Sequence, residues 1–62
     1  MTFYDVWASV KNGSIAKRPI DSDFVYIKFT DNKIMKKFDS QTKWVVKNLN
    51  DEDVKVDTWQ LV

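Results

Sequence analysis

At 62 residues, with a net charge of +1 and neither cysteine nor histidine, the chain has room for one domain. That composition excludes a disulfide staple and a Cys/His zinc site, and it gives no overall basic footprint for nucleic acid. A chain this short buries only about 60% of the surface its unfolded state exposes, so its core is marginal. Aromatic packing remains, from three Trp, four Phe and two Tyr, and so does self-association, which makes a homo-oligomer the expectation.

Residues 3–11 place Phe3, Val6, Trp7 and Val10 on one helical stripe. Thr2 followed three residues on by Asp5 reads as a capping box, and Gly13 suits the left-handed position that ends a helix. Ser14 to Arg18 reads as a short strand whose pairing Pro19 ends, with residues 20–23 as a loop.

Residues 24–30 and 33–38 read as a hairpin around Asp31-Asn32, a dipeptide that tolerates the positive φ of a two-residue turn. That turn sets Phe29 opposite Ile34, Ile27 opposite Lys36 and Val25 opposite Phe38. One face then carries Val25, Ile27, Phe29, Ile34 and Phe38, and the wetter one carries Tyr26, Lys28, Met35 and Lys37. Lys36 falls on the apolar face, either as a lysine snorkelling at the edge or as a cation at a pocket rim.

Residues 43–47 read as a third strand and 48–50 as a turn. Residues 51–55 read as a short helical turn started by Asn50 or Asp51, and 59–62 as a last strand. Both ends of the chain are expected to be built into the fold. The expected architecture is α+β: one domain over residues 1–62, with an N-terminal amphipathic helix packed on a small bent antiparallel sheet of about four to five strands.

No stretch approaches the roughly 20 apolar residues of a membrane span, and no basic-then-apolar leader opens the chain, so the expected location is the cytoplasm. Charge is uneven along the chain. Residues 28–47 hold six Lys against Asp31 and Asp39, while residues 48–62 hold four acids against Lys55. This asymmetry makes a basic face or pairs off inside the fold.

Catalysis finds little support. The commonest general base and the best nucleophile are missing, and a single glycine excludes a phosphate-cradling loop. Asp51, Glu52 and Asp53 read as helix-start residues rather than a metal site. The expectation is a non-enzymatic protein with neither metal nor cofactor.

Binding has better candidates. Arg18 is able to grip a phosphate bidentately with Lys17 as a point charge beside it, and Tyr26, Trp44 and Trp59 are able to stack on a base. The alternative is that both tryptophans are core and the basic pair is solvated.

Phe3, Val6, Trp7, Val10, Gly13, Ala16 and Arg18 at one end, and Asp53, Val54, Val56, Trp59, Leu61 and Val62 at the other, form a pattern. It resembles the Thoeris anti-defence sponge family carried by phages and some bacteria. Members open with an amphipathic helix ending at Gly, continue into a basic strand with an Arg, and close in an Asp-apolar-apolar-Ala-x-Asp-Trp-x-apolar-Val pattern. Here Ile20-Asp21 stands where the family has a Trp, Thr58 precedes the final Trp in place of Asp, Lys55 replaces an apolar residue, and the centre is shorter.

The resemblance implies a non-enzymatic oligomer, phage-type and acting in the host cytoplasm, that sequesters a cyclic nucleotide immune messenger. By that resemblance Arg18 is the phosphate-contacting residue and Trp59 a structural one. Lys17, Tyr26, Lys36 and Trp44 complete the candidate ligand site on their chemistry and alternation. The competing reading is a small phage-encoded inhibitor that docks on a host protein through an aromatic and basic patch. A nucleic-acid partner is not expected, because +1 overall leaves few phosphate contacts.

Overall fold

The computed structural model describes residues 1–62. Helix α1 spans Phe3–Lys11 and is followed by β1 (Ala16–Ile20), β2 (Asp23–Thr30), β3 (Lys33–Phe38), β4 (Val45–Val46), helix α2 (Asp51–Lys55) and β5 (Gln60–Leu61). The strands form one antiparallel sheet in the order β4-β3-β2-β1-β5, so the fold is α+β with five strands.

The local signals act as their chemistry dictates. The Thr2 hydroxyl accepts from the Asp5 backbone N–H while the Asp5 carboxylate accepts from the Thr2 N–H, which closes a reciprocal cap at the start of α1. Asn50 and Asp53 form a second reciprocal cap on α2. Gly13 ends the helical segment with φ +106°, a region that side-chain-bearing residues rarely enter. Asp31 and Asn32 both take positive φ, 52° and 59°, as a two-residue turn requires. The register that follows pairs Phe29 with Ile34, Ile27 with Lys36 and Val25 with Phe38, as the alternation predicts.

Several boundaries differ from expectation: β1 starts at Ala16 rather than Ser14, β2 at Asp23 rather than Phe24, and the last strand covers only Gln60–Leu61 of the expected 59–62. Pro19 does not end the pairing: β1 continues through it, with Pro19 opposite Phe24 and Ile20 opposite Asp23. The physical reason is that β5 reaches only Ala16 and Lys17, so one side of β1 is an open edge at Pro19, where a strand tolerates the missing donor. The loop is thereby reduced to a tight turn with Asp21 at φ 54°. The third strand shrinks from residues 43–47 to Val45–Val46, since only those two pair with β3.

The core lies between α1 and one face of the sheet. Phe3, Val6 and Val10 from the helix meet Ala16, Ile27 and Trp59, all buried; Val25 is buried on the same face of the sheet, outside that cluster. Trp7 extends the aromatic packing, with ring centroids 5.4 Å from Phe3 and 5.5 Å from Phe29. Trp59 is completely buried. Its backbone N–H donates to the Met1 carbonyl at 2.9 Å, and its indole N–H donates to the Asp53 carbonyl at 2.8 Å. The C-terminal segment is thus tied across the mouth of α1. No helix is long and apolar enough to cross a membrane.

Candidate functional site: the outer face of the sheet

Because side chains alternate along a strand, burying Val25 and Ile27 on the inner face of the sheet turns Phe24, Tyr26 and Lys28 to the opposite face. Pairing extends this row sideways. Tyr26 lies between Lys17 on β1 and Lys37 on β3, and Lys28 lies opposite Met35. Trp44 joins them just ahead of β4. Both helices sit on the other side, so this outer face carries no covering layer.

The lysines lie over the rings. Lys17 Nζ is 4.7 Å from the Phe24 centroid, and Lys28 Nζ is 4.4 Å from the Trp44 centroid. Lys37 Nζ stands between two rings, 5.4 Å from Tyr26 and 5.9 Å from Trp44. Each contact is a cation–π arrangement of the kind worth about 0.5–1 kcal/mol at an exposed site. The Tyr26 hydroxyl donates to Asp39 Oδ1 at 3.2 Å. Desolvation, then the bond to Asp39 and its charge, push the phenol above its ordinary pKa, so it stays a neutral donor at physiological pH. Lys37 donates to the Gln41 carbonyl at 3.1 Å, which holds the following loop against the sheet. The face is therefore a platform of three rings with three ammonium groups among them, none of which is in an ion pair.

Of the sequence-based candidates, the structure brings together Lys17, Tyr26 and Trp44. Arg18 and Lys36 lie on the other face, opposite Val25 and Ile27 respectively. Arg18, expected at a phosphate, is buried with 7% exposure. Its Nη2 donates to Asp53 Oδ1 at 3.1 Å, and its guanidinium carbon lies 5.5 Å from the Trp59 ring centroid. Its Nε has no partner. Arg18 is thus a core residue and does not belong to the platform.

Lys36 is half-buried, its Nζ 5.7 Å from the Phe38 ring. It opens onto a cleft of about 560 Å³ shared with Phe38, Gln41, Lys43 and Val45. That position accommodates both sequence readings of Lys36, a snorkelling stem and a cation at a rim. Trp59 is core.

Sequence reasoning placed Lys28 and Lys37 on the wetter face without assigning them a role, and it missed Phe24. The missing signal was the β1–β2 register, which sets Lys17 beside Tyr26. Reasoning also missed the centre built on Asp53. This carboxylate is completely buried, with Lys47 Nζ 3.1 Å from one oxygen and Arg18 Nη2 3.1 Å from the other. Burial pushes its pKa up, but the Asn50 backbone N–H, Lys47 and Arg18 outweigh that and hold it below the usual carboxylate range.

No group of three or more acidic, His or Cys side chains is arranged to hold a metal ion. No family model, curated protein or solved structure matches this chain. The fold and the face define a small α+β domain with an aromatic and basic sheet platform.

Proposed function

We propose that the protein is a non-enzymatic binder of nucleotides that holds its ligand on the outer face of the sheet. A base stacks on Trp44 or Tyr26 and a phosphate lies against Lys28 and Lys37. The observation that carries this reading is the position of Lys37 Nζ between the Tyr26 and Trp44 rings, with Lys28 Nζ over Trp44. That places stacking surface and positive charge one phosphate's reach apart.

Together with the resemblance at both ends of the chain, this supports sequestration of a cyclic nucleotide messenger in a host cytoplasm. The mechanism is mass action, in which the free messenger falls below what its receptor requires. Self-association fits the apolar residues at the free edge, Val45 at 49% and Val46 at 56% exposure.

The test is a thermal-shift screen against cyclic ADP-ribose isomers and cyclic di- and trinucleotides. A ligand present at 100 times its Kd adds about 2.7 kcal/mol of stability, and the shift should vanish in Lys28→Ala. No shift across the panel sinks the messenger reading.

The second reading, docking on a host protein, draws on the same edge. Val46 and Leu49 are exposed and line a cleft together with Trp7, Phe29 and Ile34. It is tested by whether Val46→Asp abolishes anti-host activity while leaving the melting temperature in place.

A further inference from the structure

We infer that the outer face binds an extended single strand of nucleic acid, without sequence preference. The inference rests on the reading above only in taking the face as one that stacks bases. It does not rest on the messenger.

The platform crosses β1 to β4, three strand spacings or about 14 Å, and runs about 13 Å along β2 from Phe24 to Lys28. A single base covers one ring. The platform offers Phe24, Tyr26 and Trp44 at separate positions: the first two lie two residues apart on one strand, and Trp44 lies across β3.

An ammonium accompanies each ring, Lys17 with Phe24, Lys37 with Tyr26 and Lys28 with Trp44. Ring and charge alternate over the face as base and phosphate alternate along a strand, the combination that unspecific single-strand binders use. A duplex keeps its bases stacked inward and offers nothing to these rings.

The total of +1 conceals a local excess, because both ion pairs in the molecule go to Asp53 on the other side of the sheet. Lys17, Lys28 and Lys37 remain free to release counterions. Three phosphate contacts correspond to a slope of about −2 in log K against log salt for a single strand. Binding is therefore expected to be of modest affinity and limited by salt.

The experiment is fluorescence anisotropy with a labelled oligothymidylate of about twelve nucleotides, its duplex counterpart, and the cyclic nucleotide panel, each titrated from about 50 mM salt upward. The single strand should bind with a slope near −2, more tightly than the duplex. Trp44→Leu and Lys28→Gln should each weaken it at least about fivefold. Both side chains are only half-buried, and a thermal melt verifies that each variant is folded. If Trp44→Leu does not fold, Tyr26→Leu reads the same stacking contribution.

Three results overturn the inference: no binding of the single strand at the lowest salt, equal binding of duplex and single strand, or binding indifferent to the ring substitutions. Cyclic nucleotides binding while the strand does not would leave the proposed function standing and remove this inference. The reverse would remove the messenger and keep the strand.

Discussion

The Arg18 guanidinium and the Asp53 carboxylate, 35 positions apart in the chain, meet at 3.1 Å where both are buried. The contact is more than a surface ion pair. Lys47 occupies the second carboxylate oxygen, the Asn50 N–H also reaches it, and the Trp59 indole donates to the Asp53 carbonyl. One aspartate therefore joins β1, the residue after β4, the start of α2 and the C-terminal tryptophan.

Removing that aspartate should be among the most damaging single changes in the molecule. Asp53→Ala leaves two cations facing each other without their shared partner, and breaking a buried pair in this way costs about 3–5 kcal/mol. A core of this size rarely supplies more than about 3–5 kcal/mol in total. Asp53→Ala is expected to be largely unfolded at room temperature by circular dichroism. Arg18→Met, Lys47→Met and Asp53→Leu combined should recover much of the loss, since an apolar replacement of a buried ionic group is often neutral or better.

The same carboxylate sets the acid limit. Its pKa in the fold lies below the usual value of 3.8. A depressed folded value means that the ionised form stabilises the fold above the unfolded pKa, and this contribution disappears as pH falls through the folded value. Asp5 and Asp23 are shifted in the same direction, chiefly by the backbone N–H groups of Thr2 and Phe24. Urea midpoints should hold level from neutral pH down to about 5 and fall below about 4. The combined apolar variant should show a shallower acid limb. An identical limb would assign the loss to the exposed carboxylates instead.

At Gly13 the expected effect is purely conformational. A Cβ there would meet nothing within 4 Å, so Gly13→Ala introduces no clash with its surroundings. The cost comes from holding φ at +106°, and a left-handed alanine costs about 1–2 kcal/mol. For a domain of this size the melting temperature should fall by about 4–8 °C for each kcal/mol. Gly13→Asn should fall less, because Asn enters positive φ more readily.

Much of the fold was readable wherever the determining residues are neighbours in sequence. Thr2 and Asp5 cap a helix they belong to. Asp31-Asn32 sets a turn, and that turn alone decides which side chains of β2 and β3 face one another. Legibility failed where the decision is made far away. Pro19 remains inside β1 because β5, more than 40 positions later, leaves that edge open. Arg18 looked like a ligand residue because nothing near it in sequence foretold Asp53. The platform was half visible in the alternation of Tyr26, Lys28 and Lys37. Its completion by Lys17 and Trp44 depends on strand neighbours and a loop that no local pattern encodes.

Trp59 tests how far the C-terminal segment stabilises the rest. Trp59→Phe keeps an aromatic ring near Phe3, whose centroid lies 5.9 Å away, but deletes the donor to the Asp53 carbonyl. An acceptor left unsatisfied in a buried site costs about 1–3 kcal/mol, and the smaller ring adds a cavity. The expected outcome is a folded but clearly destabilised protein by urea titration. A midpoint equal to that of the parent chain would mean that water replaces the indole at no loss.

The strand order has a consequence in time. β1, β2 and β3 are consecutive in the chain and adjacent in space, so they associate through short loops. The partner that accepts the Arg18 charge, and the indole that covers it, arrive only with residues 53–59. Closing that long loop is entropically expensive. During refolding the three-stranded meander must therefore keep a hydrated arginine on the face that is to become its core. Dehydration of that face is the expected late step, and it waits for the last sixth of the polypeptide.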